Sequence, residues 1–117
     1  MDARILIVDS SDACRKLEAY LLGSVGLKTR SAYDARSAWR AIEARAPALV
    51  ILDLVLPDTD GLVFARNVTE RGIRAIAVTG CVMLGDRGRA LGAGCAAYVP
   101  KPIDTRTFAN VVLRELG

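Results

Sequence analysis

The chain contains no histidine, and that absence excludes more than any residue present. Histidine is the side chain whose ordinary pKa lies closest to neutral pH. Imidazole-based acid–base catalysis is therefore closed to this protein, and so is a role as carrier of phosphate on imidazole. Cysteine is scarce too: Cys14, Cys81 and Cys95 stand far apart, with no Cys-x-x-Cys pair. Without histidine or paired cysteines a zinc-type ligand set is not expected, and the three thiols read as small buried hydrophobes. Also missing is any apolar run long enough to cross a bilayer. The opening Met-Asp-Ala-Arg lacks the apolar stretch of a secretion signal, so the chain is expected in the cytoplasm, with no membrane partner. Nor is the positive charge concentrated. The net charge is +3, but Arg4, Arg15, Arg30, Arg36, Arg40, Arg45 and Arg66 are scattered among acids. Nucleic-acid binding calls for a basic stripe or a reading helix, so this charge is assigned to solvated helix faces.

What is present is a regular alternation. With 117 residues, 52% of them hydrophobic, the chain has room for one domain, residues 1–117, around one continuous core. Short apolar runs rich in β-branched residues predict buried strands at residues 4–8, 48–52 and 75–78. A weak strand is expected at 27–31 and a fifth strand at 94–99. Between them lie helical patterns. One follows the capping residues Ser10, Ser11 and Asp12 and repeats Cys14, Leu17 and Leu21; Gly23 and Gly26 close it. The next follows Asp34 and places Ala35, Ala38, Trp39 and Ile42 on one face. A third, of moderate periodicity, spans 61–70. The fourth is expected at 82–91 and is the least secure, because Gly85 and Gly88 lie inside it, each costing roughly 1 kcal/mol against alanine. The last is capped by Asp104 and carries Phe108, Val111, Val112 and Leu116 on its apolar face. Five strands alternating with five helices predict an α/β fold, a doubly wound parallel sheet covered on both faces.

In open sheets of this kind, sites form at the carboxyl ends of the strands where the winding reverses. The residues at those ends are Asp9, Asp53, Thr79 and Lys101. The stretch Val50-Ile-Leu-Asp-Leu-Val-Leu-Pro-Asp-Thr-Asp-Gly61 delivers Asp53 at the end of a rigid strand, with Pro57 and Gly61 forcing a turn beneath it. Each residue alone has an ordinary reading: a solvated strand-end acid, a β-branched threonine, a surface lysine between prolines. Taken together they suit phosphoryl chemistry. Two carboxylates side by side repel unless a cation intervenes, and hard oxygen ligands favour Mg²⁺ or Mn²⁺. An ammonium and a hydroxyl are what the remaining oxygens of a transferring phosphoryl group need.

These segments resemble the receiver domains of two-component response regulators, of the single-domain, chemotaxis-regulator-like kind. The resemblance rests on Ile5-Leu6-Ile7-Val8-Asp9, on Asp53-Leu54-Val55-Leu56-Pro57 with Asp60-Gly61, on Val78-Thr79-Gly80, and on Gly94 through Tyr98-Val99-Pro100-Lys101-Pro102. It implies a flavodoxin-like (βα)5 fold with strand order 2-1-3-4-5. By resemblance, Asp53 is the phospho-acceptor, Thr79 the switch hydroxyl, Lys101 the phosphate-pairing lysine and Tyr98 the switch aromatic. Asp9, Asp53 and the backbone carbonyl of Val55 would hold Mg²⁺ or Mn²⁺, and the peptide before Pro102 would be cis. The implied partners are a sensor histidine kinase or histidine phosphotransfer protein, and a protein target at the surface of the fourth helix, fifth strand and fifth helix. A second copy of the chain is a further candidate. The chain would catalyse only its own phosphorylation and dephosphorylation and would not otherwise be an enzyme.

One departure stands out. The family places a second acid after the first, commonly as a metal ligand, and here that place is Ser10. Asp12 could compensate through a water or simply cap the helix. Two rival readings follow: a pseudo-receiver that binds partners without phosphate, and a small aspartyl phosphatase. The phosphatase would want an acid where Val55 stands. Apolar Val55 and Cys81 beside the expected phosphate offer little help to a hydrolytic water, which implies slow self-hydrolysis.

Overall fold

The computed structural model describes residues 4–80 and 85–117. Ten elements alternate along them: β1 (Ile5–Val8), α1 (Asp12–Gly23), β2 (Thr29–Ala32), α2 (Ala35–Ala44), β3 (Leu49–Leu52), α3 (Gly61–Glu70), β4 (Arg74–Thr79), α4 (Asp86–Gly92), β5 (Ala97–Pro100) and α5 (Phe108–Leu116). All five strands are parallel, in the order β2-β1-β3-β4-β5. The expected doubly wound sheet is therefore present, and its winding reverses between β1 and β3.

Strand pleating explains why β1 and β3 are apolar at every position. Leu6, Val8, Val50, Leu52, Ala75 and Ala77 pack on one face against Ala38 and Ile42 of α2, Phe64 and Val68 of α3, and Ala90 of α4. Ile5, Ile7, Leu49, Ile51, Ile76 and Val78 pack on the other against Leu22 of α1 and Phe108 and Val112 of α5. Successive side chains thus serve two cores, as a strand covered on both faces requires.

Several helix details differ from the sequence expectation. Ser11 caps α1, its side-chain oxygen accepting from the Cys14 amide, while Asp12 begins the helix proper. The inward stripe of α1 runs through Glu18 and Leu22, and Leu17 is 38% exposed. Asp104 does not cap α5 directly. Its side chain accepts from the Arg106 amide in a turn, and the helix starts four residues later behind Thr107. In α4, Gly85 is the N-cap with φ of 88°, so of the two glycines expected inside the helix Gly88 alone is interior, and Gly92 is its last residue. The first part of the helix expected at 82–91, like Cys81, lies outside the described residues. Helix α2 follows the expectation: Asp34 caps it in a reciprocal box with Ser37.

Gly61 is required by close approach. A Cβ there would overlap the Leu54 backbone, which also accepts the Gly61 amide hydrogen bond at 3.1 Å. Gly61→Ala is expected to cost about 1–3 kcal/mol, because the methyl group meets rigid backbone and not a flexible side chain. Urea unfolding checks this, and an unchanged midpoint would contradict the crowding.

Candidate functional site at the carboxyl edge of the sheet

Past their last paired residues, β1 stays bonded to β2 and β3 to β1. The Asp9 amide donates to Ala32 O at 3.0 Å and the Asp53 amide to Val8 O at 2.9 Å. The two acids are thus fixed side by side at the point where the winding reverses. Both are buried: their side chains are only 3% and 10% exposed.

Such a pair of like charges needs a counter-ion, and Lys101 provides it. Its Nζ donates to Asp9 Oδ2 and to Asp53 Oδ2, each at 2.7 Å. The remaining oxygens are held by backbone: Asp9 Oδ1 accepts from the Ser11 amide at 2.8 Å and Asp53 Oδ1 from the Val55 amide at 2.9 Å. Burial works against the charge on Lys101, but its hydrogen bonds and ion pairs with Asp53 and Asp9 outweigh that and hold its pKa above the ordinary lysine range. The Lys101 backbone amide donates to Thr79 O at 2.9 Å, which ties β5 to the end of β4. Thr79 itself is fully buried at that strand end. The peptide between Lys101 and Pro102 is cis, as the resemblance implied.

The other expected residues are placed as follows. Val55 stands at the rim with 54% of its surface exposed, its segment pinned by a bridge to Asp60. Ser10 is exposed. Asp12 is turned away and engaged elsewhere, with Arg15 at 3.1 Å and Lys16 at 3.0 Å, so it does not stand in for the missing acid. Tyr98 is half-buried on β5, and the Arg87 guanidinium of α4 lies 5.4 Å over its ring. That contact joins α4 to the strand that leads into Lys101. Cys95 is buried, and burial pushes its thiol up to about 11, so it is an inert core residue.

Three features were not foreseen in the sequence. Asp58, in the loop after β3, accepts from the Ala35 and Arg36 amides at 3.0 and 2.9 Å. These bonds moor the loop that carries Val55 to the start of α2, and the Ala35 amide foremost holds the Asp58 carboxyl below the usual range. Arg15 donates to Asp9 O at 2.7 Å, fixing α1 to the site. Glu18, 1% exposed, lies buried in α1 with both carboxyl oxygens lacking any hydrogen-bond partner. Burial first, and the Asp9 charge second, raise its pKa to about 8. Its off-register place beside Leu17 and Leu21 was the signal: a glutamate four residues before a core leucine lies on the inward stripe.

The donor set suits a hard divalent cation. Asp9 and Asp53 present carboxylate oxygens at one edge and Val55 a nearby backbone carbonyl, while water would complete the shell, as Mg²⁺ prefers. No group of three acids, histidines or cysteines arranged to hold a metal occurs among the described residues, so the direct protein ligands are few. No helix among those residues is long and apolar enough to cross a membrane.

Comparison with known proteins agrees with this fold. The family model described as response regulator receiver domain matches residues 5–113. The chain is 30% identical over 121 residues to the polar-differentiation response regulator DivK of Brucella anthropi, covering all of this chain and 98% of that protein. It is 32% identical over 118 residues to the response regulator Rre1 of Synechocystis sp., and there it spans only about half of the relative's length, 51%. Among solved structures, the receiver domain of NtrX from Brucella abortus superposes with a TM-score of 0.90 at 32% identity, covering 96% of this chain and 97% of that one. A CheY-like receiver domain protein from Methanospirillum hungatei gives 0.90 at 29% identity, covering 99% and 94%.

Proposed function

The chain belongs to the receiver domains of two-component response regulators, and on that premise we propose that Asp53 accepts a phosphoryl group from a phosphohistidine of a partner kinase or phosphotransfer protein. The observation that carries the proposal is the Lys101 ammonium 2.7 Å from both Asp9 and Asp53, a cation already seated where phosphoryl oxygens would arrive. A carboxylate oxygen of Asp53 forms the new P–O bond as the P–N bond to the partner's imidazole breaks. The Val55 amide and Lys101 hold the Asp53 carboxylate in one orientation for that attack. Mg²⁺ or Mn²⁺, held by Asp9, Asp53 and the Val55 carbonyl, would supply charge neutralisation at the phosphoryl oxygens. Lys101 exchanges a carboxylate partner for a phosphoryl oxygen, and the Thr79 hydroxyl turns toward the added oxygens.

Tyr98 then occupies the space that Thr79 vacates, which alters its stacking with Arg87 and shifts the surface of α4, β5 and α5 between two states. A protein target reads that surface. The chain acts on nothing but itself: it catalyses its own phosphorylation and its own slow dephosphorylation. A cytoplasmic setting fits a kinase-coupled role of this kind.

A second reading has one observation in its favour. Ser10 stands in place of an acid, and Lys101 alone balances one of the two charges, so the fold could present its surface without phosphate, as a binding module. Incubation with Mg²⁺ and acetyl phosphate separates the two. The expected result is a mass gain of one phosphoryl group on Asp53 and amide shift changes at Thr79 and Tyr98. No mass gain, and no spectral change with beryllofluoride, would establish the second reading instead.

A further inference from the structure

We propose that Glu18 replaces the acid missing at position 10, by supplying the third carboxylate of the cation site from beneath Asp9, through a metal-bound water. The inference rests on the metal reading above and concerns a residue that the family pattern does not place in the site. Four observations support it. First, Glu18 is 1% exposed and both its oxygens lack partners, an arrangement that costs free energy unless something is gained. Second, Glu18 and the two site acids lie on the same side of the sheet. Asp9 and Asp53 continue the alternation of Ile5, Ile7 and of Leu49, Ile51, which face α1 and α5, and Glu18 lies on the stripe of α1 that carries Leu22 into that core. Third, helical side chains lean toward the N-terminus of their helix, and the N-terminus of α1 is the end fastened to Asp9 through Ser11 and Arg15. Fourth, the charges that Glu18 feels are those of the site itself: Asp9, Lys101 and Asp53.

Charge balance gives the arrangement a purpose. Asp9, Asp53 and Lys101 together leave one net negative charge. An ionised Glu18 makes two, which matches a divalent cation. Arg15 is close on the same helix but is occupied by Asp9 O and Asp12, so it does not neutralise Glu18. The three acids do not form a direct ligand cluster, which is why the contact runs through water, as is common for Mg²⁺.

The test measures binding of Mn²⁺ alone by titration calorimetry and by electron paramagnetic resonance, for wild type, Glu18→Gln, Ser10→Asp and the double variant. Glu18→Gln is expected to weaken Mn²⁺ binding roughly 10- to 100-fold, the range for a residue that orients a metal's ligands. Adding Ser10→Asp is expected to restore it. Glu18→Leu is the second variant. It should raise the unfolding temperature of the metal-free protein by removing an unpartnered buried acid, yet abolish most of the further rise that Mn²⁺ gives the wild type. Wild type and Glu18→Gln binding Mn²⁺ equally would overturn the role of Glu18 and leave the metal reading intact. A loss in Glu18→Gln that Ser10→Asp fails to restore would overturn it too, by pointing to a packing defect. Failure of the wild type itself to bind Mn²⁺ at millimolar concentration would overturn both readings.

Discussion

Asp53→Asn is expected to take up no phosphoryl group from acetyl phosphate under conditions that saturate the wild type, while remaining folded. The amide keeps the size of the side chain and an acceptor for the Val55 amide, but it has no anionic oxygen with which to attack phosphorus. Lys101 retains its 2.7 Å bond to Asp9, so the local structure keeps its main tie. The change in stability should stay within about 1 kcal/mol, because one ion pair is lost while the repulsion between Asp9 and Asp53 is lost with it. Intact mass before and after incubation with Mg²⁺ reads the uptake, and hydroxylamine should strip the label from the wild type, as it does from acyl phosphates. Equal labelling of the Asn variant would place the acceptor elsewhere and remove the basis of the proposed transfer.

The second large effect is expected from Lys101→Met. Removing the ammonium leaves Asp9 and Asp53 buried and adjacent, with only the Ser11 and Val55 amides to hold them. Breaking a buried pair in this way costs about 3 kcal/mol at neutral pH, because the charges left behind stay desolvated. Phosphoryl uptake should be lost with it. The pH dependence distinguishes this cause from ordinary packing loss. In the variant the two adjacent carboxylates repel with no cation between them, and protonating either one removes the repulsion. The stability gap to the wild type is therefore expected to narrow as the pH falls. In the wild type, the raised Lys101 pKa gives a contribution fully present below the ordinary lysine value of 10.5 and lost only above it. Glu18 also titrates between its ordinary 4.5 and about 8, and the Lys101 charge lowers its pKa, so both proteins carry Glu18→Gln in this comparison. Urea unfolding of the two proteins at pH 5.5 and 7.5 measures this. A gap that does not narrow on acidification would refute the carboxylate repulsion.

The site depends on side chains that are distant in sequence and close in space, and this sets what each level of description could reveal. Asp9, Asp53, Thr79 and Lys101 were legible because each ends an apolar β-branched run, and strand periodicity is local. The parallel sheet covered on both faces followed from the alternation of strands and helices, since right-handed crossovers place helices there, while the strand order 2-1-3-4-5 came from the resemblance. The inward faces of α2 and α5 were legible for the same reason: Ala35, Ala38 and Ile42, and Phe108 and Val112, are buried as their spacing predicts.

What the residues could not disclose is how each helix rolls on the sheet. In α1 the apolar repeat of Cys14, Leu17 and Leu21 suggested one face. The bonds from Arg15 and Ser11 to Asp9 fix another, which leaves Leu17 partly exposed and turns Glu18 inward. The mooring of the Val55 loop by Asp58 and the stacking of Arg87 on Tyr98 were equally hidden, because a surface acid or arginine has no periodic signature and gains its role only from a neighbour brought by the fold. The sequence by itself determined the strands, their polar ends and hence which groups stand at the sheet edge, because those follow from short-range pattern. Only the tertiary structure decided that one ammonium bridges two carboxylates and that Glu18 of α1 is buried without a partner, because electrostatic partnership is set by distance in space and by exclusion of water.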